Sequence, residues 1–468
     1  MELKKGFLPA ELAAAVADIA GAVRGAGGRA RLVGGAVRDA LLGAESAKDV
    51  DIEVFGVAPD ELERIIGSRY AYDPCGLSFG VLKIKGLDID VSLPRSESKR
   101  GLGHKGFLVD SNPSLTVREA ASRRDFTINA IYLDPLDGTV EDPFGGAEDL
   151  KRRILRHVSP KFAEDPLRVL RGMQFCARFA LSAAPETVAL CRTMDMEGLP
   201  PERLFEEWAK LLLKGRDMGR GLGFLRDVSW HRFFPELAAL AVCGQDPEWH
   251  PEGDVWNHTC LCLDAFARRR TGDRDEDLIV GLAVLCHDFG KPSTTRMVRG
   301  RLRSLGHDEA GVKPTLSFLR RHTNEERILR EVPPLVQCHM QPFAMWKSGA
   351  GDAAVRRLAA KVVRIDRLLR VARADDEGRA CGTPPADFEC LEWLAKKAEE
   401  LKVADSAPKP ILLGRHLIAL GLKPSAKFGK WLAASYEAQL DGAFRDLDGA
   451  IAHFKSKFGV DNPGWKLV

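Results

Sequence analysis

Three groups of residues in this chain have the types and spacings that phosphate chemistry needs. The first lies in LVGGAVRDALLGAESAKDVDIEVF, residues 32–55. Gly34 and Gly35 let the backbone turn with φ > 0 and approach a ligand closely. The helix expected to open at Val37-Arg38-Asp39 presents free N–H groups and a positive dipole end, which suit a phosphate. Asp49-Val50-Asp51 reads as strand, where side chains two apart share a face. Two such carboxylates can hold Mg²⁺ against phosphate oxygens. A glycine pair or a D-x-D alone is mostly turn chemistry and surface charge. Their order, with Arg38 between them, favours nucleotidyl transfer.

The second group follows along the same half of the chain. Asp90 alternates with Asp88 on a strand expected over 87–93, where a solvent-facing aspartate is an equally good reading. The run Arg123-Arg124-Asp125-Phe126-Thr127-Ile128-Asn129-Ala130 offers paired guanidinium forks for triphosphate or ribose oxygens. In Glu164-Asp165-Pro166-Leu167-Arg168, Pro166 suits a first helical turn, and Asp165 and Arg168 at i and i+3 share a face. A plain ion pair near a helix start is the common alternative. As a pair they match cytosine and adenine, which place an amine beside an acceptor nitrogen, because a carboxylate accepts and a guanidinium donates. Uracil and guanine present the reverse order. Glu164, about 100° around the expected helix, would orient Arg168.

The third group is His258 in HPEGDVWNHT, His287-Asp288 ending DLIVGLAVLCHDFG, His307 in GHDEAG, His339 in QCHMQP and Asp375 in RADDEGR. Histidines and aspartates on successive helices can converge on a divalent metal with open positions for water. Each alone is more often a satisfied core residue.

The elements that must position these groups change texture along the chain. Leu12, Val16, Ile19 and Val23 predict a helix over 9–26, followed by strands and short helices to about 150. From Lys151 the pattern is helical. Residues 94–118 read as a long basic loop with Arg95, Lys99, Arg100, His104 and Lys105. Pro408–Leu422 reads as a helix, and Lys423, Lys427 and Lys430 beyond it could touch RNA phosphates or form a solvated face. The 468 residues suffice for two to four domains. A net charge of +3 does not by itself announce a nucleic-acid partner. Ten cysteines without a C-x-x-C pair suggest reduced thiols, with Cys260 and Cys262 packing rather than binding zinc. Charges at Glu11, Asp18 and Arg24 interrupt the apolar stretch 11–28, and no apolar run reaches membrane-spanning length. The cytoplasm is the expected location.

The glycine–D-x-D stretch, DVSLPRSESK after Asp90, the RRDFTINA run, EDPLR and the ERLFEE helix at 202–207 together resemble class II tRNA nucleotidyltransferases, the CCA-adding enzymes, and their poly(A) polymerase relatives. The His…His-Asp…Asp set resembles the HD phosphohydrolase superfamily. The tail reads LKPSAKFG, where similar tails carry Gly-Pro in place of Ser425-Ala426.

The resemblance implies an α+β multidomain chain. A polymerase-β-like palm with a mixed sheet would occupy 1–150, and a helical neck 151–225. An HD-type helical domain would fill 226–384, and a helical tail that contacts tRNA 385–468. It implies Asp49 and Asp51, helped by Asp90, at a catalytic Mg²⁺. Gly34, Gly35 and Arg38 would take phosphates, and Arg123, Arg124, Asp125 and Asn129 the rest of the nucleotide. Asp165 and Arg168 would read the base with Glu164 orienting Arg168, and Arg171 would also bind the nucleotide. A second divalent metal would sit among His258, His287, Asp288, His307, His339 and Asp375. The implied partners are CTP, ATP and the tRNA 3′ end and acceptor stem, with no membrane or protein partner. The implied function is template-independent addition of C and A to tRNA, with a phosphohydrolase site in the HD region. A CC-adding or A-adding specialist, a poly(A) polymerase, and an HD-type nucleotide phosphohydrolase with a non-catalytic front module are the alternatives. The loop at 94–118 argues against the CC-only enzyme. The HD region and the lack of a strongly basic tail argue against the poly(A) polymerase.

Overall fold

The computed structural model describes residues 6–43, 49–73, 80–99, 107–379 and 388–459, the side chains of 96–99 and 107–111 aside. The chain forms two compact units, 1–233 and 234–468. The architecture is α+β, with the sheet confined to the first unit.

The first unit opens with α1 (Ala10–Gly25), which buries Leu12, Val16, Ile19 and Val23 at helical spacing. Then come β1 (Arg29–Val33), α2 (Gly35–Leu41), β2 (Val50–Phe55), α3 (Pro59–Gly67), β3 (Tyr72–Asp73), β4 (Val81–Ile84) and β5 (Ile89–Ser92). After these lie β6 (Arg95–Lys99), β7 (Phe107–Ser111), α4 (Val117–Ala121), β8 (Tyr132–Leu133), β9 (Val140–Glu141) and α5 (Gly146–Lys151). The seven-stranded sheet runs β3-β4-β5-β2-β1-β8-β9. Only the β2–β5 pairing in it is parallel; the others are antiparallel. That parallel register sets Asp51 beside Asp90.

The stretch expected as one long loop contains a hairpin, β6 with β7, paired from Arg95↔Ser111 to Lys99↔Phe107. Its Ser-Glu-Ser-Lys strand has no apolar alternation, so the usual strand signal is missing. Arg100, His104 and Lys105, and the side chain of Lys99, lie outside the described residues.

Beyond 150 the unit is mostly helical. A two-stranded parallel pair, β10 (Ile154–Leu155) and β11 (Ser182–Ala183), flanks α6 (Leu167–Phe179). Helices α7 (Pro185–Arg192), α8 (Pro201–Lys214) and α9 (Met218–Asp227) follow. Gly172 lets Phe224 of α9 lie against α6, because a Cβ there would sit 2.9 Å from its ring.

The second unit is helical apart from the hairpin of β12 (Thr295–Val298) and β13 (Arg301–Ser304). Before the hairpin come α10 (Pro235–Leu240), α11 (Val255–Arg268), α12 (Arg274–Cys286) and α13 (Lys291–Thr294). After it come α14 (His307–Ala310), α15 (Val312–His322), α16 (Glu326–Cys338), α17 (Gln341–Lys347), α18 (Asp352–Val362) and α19 (Ile365–Glu377). Helix α12 is buried continuously from Asp277 to Cys286, so α11, α16 and α19 pack around it. The last part holds α20 (Phe388–Glu400), α21 (Gly414–Ala419), α22 (Ala426–Asp441) and α23 (Leu447–Phe458). Only Gly414–Ala419 of the helix expected over 408–422 forms, since 408–413 carries Pro408 and Pro410 and stays non-helical. Lys423, Lys427 and Lys430 are exposed. The eight described cysteines are free thiols. No helix among the described residues is long and apolar enough to cross a membrane.

Candidate active sites

The first site is a cavity of about 470 Å³ in the first unit. Its floor is the end of the central strands, where β1 turns into α2. Gly34 makes that turn with φ 78°, and a Cβ there would stand 3.0 Å from Asp51 Oδ2. The backbone therefore comes against the carboxylate only as glycine. Asp49 immediately precedes β2, one residue short of the expected strand. Asp51 is open to the cavity and enclosed by protein on its other sides. Desolvation raises its carboxyl; Arg124 opposes this, and Asp90, Asp49 and Glu53 add to it. Asp90 pairs with Lys83 at 2.9 Å. Asp51, raised above its ordinary value with Asp49 and Asp90 acting on its charge, suits a divalent cation.

The arginines are held from below by a residue the sequence analysis passed over. Glu53, two positions beyond Asp51, is fully buried. Tyr132 OH donates to its Oε2 at 2.7 Å, Arg123 donates to Oε1 at 3.3 Å, and Arg124 lies 3.6 Å away. Burial works against its charge, but Arg124, Arg123 and Tyr132 outweigh it and lower the carboxyl. Its signal was the strand alternation continuing Asp51-x-Glu53.

A second chain of bonds joins α2 to α6. Arg38 donates to Asp39 at 2.8 Å and to Asn129 Oδ1 at 2.7 Å. Asn129 Nδ2 donates to Asp125 at 2.9 Å, and Arg171 Nε donates to the other Asp125 oxygen at 2.7 Å. Against the cost of burial, Arg171 and Asn129 hold Asp125 down at about 2.

Asp165 lies in extended backbone after a 3-10 turn, Pro160–Glu164, and before α6. The shared helical face expected for Asp165 and Arg168 is therefore absent, because Pro166 sets the helix start beyond Asp165. Asp165 accepts from Leu167 N at 3.1 Å and from Arg203 Nη2 at 2.9 Å. Arg168 donates to the carbonyls of Lys161 at 2.8 Å and Arg123 at 2.6 Å. Both still line the cavity, as does Arg171, while Glu164 and Asp90 do not. Arg203, Arg178, Lys210 and Lys214 complete a lining of nine cationic and five carboxylate side chains, a balance that favours a polyanion.

The second site lies in the second unit. All six residues expected there converge. His258 Nε2 is 3.0 Å from Asp375 Oδ1 and 3.7 Å from Asp288 Oδ2. His287 Nε2 is 3.2 Å from Asp288 Oδ2. Asp288 Oδ1 faces His307 Nε2 at 3.4 Å, and His307 and His339 meet Nε2 to Nε2 at 3.2 Å. His287, His307 and His339 each place Nδ1 on a carbonyl, of Val284, Ser304 and Val336, at 2.7–2.8 Å. A carbonyl only accepts, so these Nδ1 atoms carry a proton, and in the neutral ring each Nε2 is left as a lone pair. Two lone pairs facing at 3.2 Å need a cation or proton between them. His287 Nε2 and both Asp288 oxygens are buried, with Lys291 Nζ 2.8 Å from Asp288 Oδ2. Burial holds His339 down at about 4, with His287 adding to it, so its ring is neutral. The donor set fits divalent metal, with Asp288 placed to bridge two ligand groups.

Five further residues were not foreseen. Glu252 fixes His258 through Nδ1 at 3.0 Å and also bonds His250 at 2.8 Å. Lys291 Nζ stands 2.8 Å from Asp288 and donates to Gln245 at 2.7 Å. Gly290 is needed between them, since a Cβ there would fall 1.9 Å from the carbonyl of His307. Its place in HDFGK, with glycine and lysine two and three positions after the aspartate, was the available signal.

Residues 30–156 match the Poly A polymerase head domain family. The multifunctional CCA protein of Stenotrophomonas maltophilia (strain K279a) is 36% identical over 394 residues, 80% of this chain and 92% of that one. The chain belongs to the multifunctional CCA protein family. The multifunctional CCA protein of Xylella fastidiosa (strain M23) is 41% identical over 292 residues, 61% of this chain and 67% of that protein. The fold is similar to that of the Bacillus stearothermophilus CCA-adding enzyme in complex with CTP, with TM-score 0.63, 22% identity and 95% and 98% of the two chains covered. It is also similar to the Thermotoga maritima CCA-adding enzyme complexed with tRNA, with TM-score 0.57, 18% identity and 98% and 100% covered. Membership of the CCA protein family makes the chain a nucleotidyltransferase, a class that uses divalent metals.

Proposed function

We propose that this enzyme adds C and A from CTP and ATP to the 3′ end of tRNA without a template, in the cytoplasm. The observation that carries the reading is Asp49 and Asp51 lining a cavity with a surplus of cations, with Asp90 beside Asp51 in register on the neighbouring strand. Asp49, Asp51 and Asp90 would hold Mg²⁺, which when bound neutralises the triphosphate and activates the primer hydroxyl. Arg38, locked by Asp39 and Asn129, presents a fixed fork to phosphate oxygens. Arg123 and Arg124 do the same from their seat on Glu53. Catalysis is then positioning plus electrostatics.

Base choice falls to Asp165 and Arg168. A carboxylate has about four lone-pair directions and a guanidinium five N–H groups. Asp165 uses two, on Leu167 and Arg203, and Arg168 two, on Lys161 and Arg123. Each keeps capacity for the amine and ring nitrogen of C or A. The test gives purified protein tRNA transcripts ending at the discriminator base, at C and at CC, each with single labelled nucleotides. Addition of C, C and then A supports the reading; A alone, C alone or a long A tail replaces it with one of the specialists.

A second activity is favoured by the facing Nε2 atoms of His307 and His339 and the bridging place of Asp288. His258, His287, Asp288, His307, His339 and Asp375 would hold divalent metal of the kind that hydrolyses phosphoesters, and Lys291 is placed to meet a phosphate oxygen. Hydrolysis of a 2′,3′-cyclic phosphate across Mg²⁺, Mn²⁺, Ni²⁺ and Co²⁺ tests this; no hydrolysis with any of them counts against it.

A further inference from the structure

Beside the nucleotide pocket, and sharing Asp39, Arg178 and Lys214 with it, lies a larger cavity of about 730 Å³. It is walled by the ends of α2 and α6, by Arg153 and by Arg216 just after α8. Its charge is unbalanced. Asp39, the one carboxylate in the wall, is already engaged by Arg38 at 2.7 Å. Arg153, Arg178 and Arg216 form no ion pair among the described residues. Arg178 donates to Gln174 at 3.1 Å and Arg153 to the carbonyl of Phe179 at 3.0 Å, both neutral acceptors.

The aromatic floor sharpens the imbalance. Phe179 carries the Arg38 guanidinium 4.4 Å from its ring centroid and that of Arg178 at 4.8 Å. Two like charges share one ring, which attracts each but does not neutralise either. Burial, with Arg38 alongside, pulls Arg178 down to about 10. The rim is also held in uncommon backbone: Arg153 has φ 57° and Ala180 φ 51°, both left-handed without being glycine. The Arg153 side chain and its carbonyl, which accepts from Ser182 N at 2.9 Å, tie these two positions together. Strain, burial and like-charge crowding thus converge on a set of guanidiniums that lacks an anion.

We propose that this cavity is a second phosphate site, built by Arg153, Arg178 and Arg216 beside the nucleotide pocket. The inference rests on the nucleotidyl-transfer reading of that pocket. Planar guanidiniums recognise phosphate oxygens with paired N–H bonds. Two sources bring phosphate to this place: the tail of the nucleoside triphosphate and the backbone of the RNA primer.

Binding measurements on the full chain separate them. Labelled CTP without primer, and a tRNA transcript ending at C without nucleotide, are titrated at several KCl concentrations. The proteins are wild type, Arg178→Gln, Arg216→Ser and Arg153→Asn/Arg216→Ser, asparagine being tolerated at positive φ. Losing Arg178 weakens the bound ligand about tenfold, as expected for a charge-assisted contact. Weaker CTP in Arg216→Ser and in the double variant, whose residues lie outside the nucleotide pocket, assigns the site to the triphosphate tail. Weaker tRNA, with the slope of log affinity against log salt falling by about 0.7 per lost contact, assigns it to the primer backbone. Unchanged affinities within about twofold and unchanged slopes in the double variant, with an unaltered melting curve, overturn the proposal. Wild-type protein that adds neither C nor A to tRNA overturns the nucleotidyl-transfer reading instead, and the two titrations still decide whether the cavity takes phosphate.

Discussion

In the nucleotide pocket, carboxylates stand at the end of central strands open to the cavity, and several of the surrounding charges are held by partners that a ligand can replace. In the histidine–aspartate cluster, His258, His287, Asp288 and His339 are buried, His307 and Asp375 are partly so, all six lie at or near helix ends, and three rings are pinned through Nδ1 to carbonyls. The first site has partners to trade: Asp90 with Lys83, Asp165 with Arg203. The second keeps His307 Nε2 facing His339 Nε2 while His258 and Asp288 are held by Asp375 and Lys291. A site that must release and admit a new nucleotide at each step gains from weak, replaceable contacts. A site that holds metal gains from donors fixed beforehand.

The sharpest way to break this comparison is to remove a fixed donor. His287→Ala or Asp288→Ala lowers metal-dependent hydrolysis of a 2′,3′-cyclic phosphate at least about a hundredfold, above the usual loss for an outer partner of a metal ligand. Calorimetric metal binding falls with it, and addition of C and A is unaffected. Equal losses of both reactions would mean that the two regions do not act independently.

Next in size is the buried anchor of the arginines. Glu53→Ala leaves Arg124 and Arg123 without their shared carboxylate in a desolvated place. It costs the first unit about 3–5 kcal/mol, read from urea unfolding. Glu53→Gln keeps an acceptor for Tyr132 and costs less. An alanine variant as stable as wild type would make the glutamate dispensable.

Acid separates the two units by mechanism. His322 in the second unit is buried, with Nδ1 on the carbonyl of Phe318, and burial holds it down at about 4. Between pH 6.5 and 4 the unfolded chain takes up a proton there that the folded chain does not, so stability falls as pH falls. The loss reaches about 2 kcal/mol by pH 5 and about 3 kcal/mol by pH 4. Asp125 in the first unit is held at about 2. Its contribution of about 2 kcal/mol is intact above its unfolded value near 4 and is lost only from there toward pH 2. Hydrogen exchange at pH 5 and 7.5 thus finds protection falling in the second unit first, and His322→Phe reduces that fall.

The histidine–aspartate set was legible because its residues end or begin helices whose apolar runs are plain in sequence, as α12 is before His287. The D-x-D was legible because strand alternation carries it, although the strand begins one residue later. The Asp165–Arg168 helix face was not. Pro166 fits a first helical turn, so the sequence placed Asp165 inside a helix that starts beyond it. Glu53, Arg203 and Lys291 were missed because their roles come from tertiary partners far along the chain, Tyr132, Asp165 and Gln245. The β6–β7 hairpin had no apolar pattern to announce it.

The smallest effect tests the exchangeable contacts. Asp165→Ala removes the repulsion toward uracil O4 and raises UTP incorporation relative to CTP on tRNA ending in C, while overall activity falls. Each unpaired buried group costs about 1–3 kcal/mol, so the preference shifts by roughly tenfold. Glu164→Ala changes the preference less. Unaltered preference in both Asp165→Ala and Arg168→Ala would make the pair a structural bridge.

The most direct test of two separate sites is Asp51→Ala, assayed for both reactions on one preparation. Labelled CTP and ATP are offered to tRNA ending at the discriminator base and at CC, and a 2′,3′-cyclic phosphate is offered alongside. The account predicts that C and A addition fall together by more than about a hundredfold, the scale of losing a major charge-stabilising group, while hydrolysis stays at the wild-type rate. Addition of either nucleotide at near wild-type rate would contradict it.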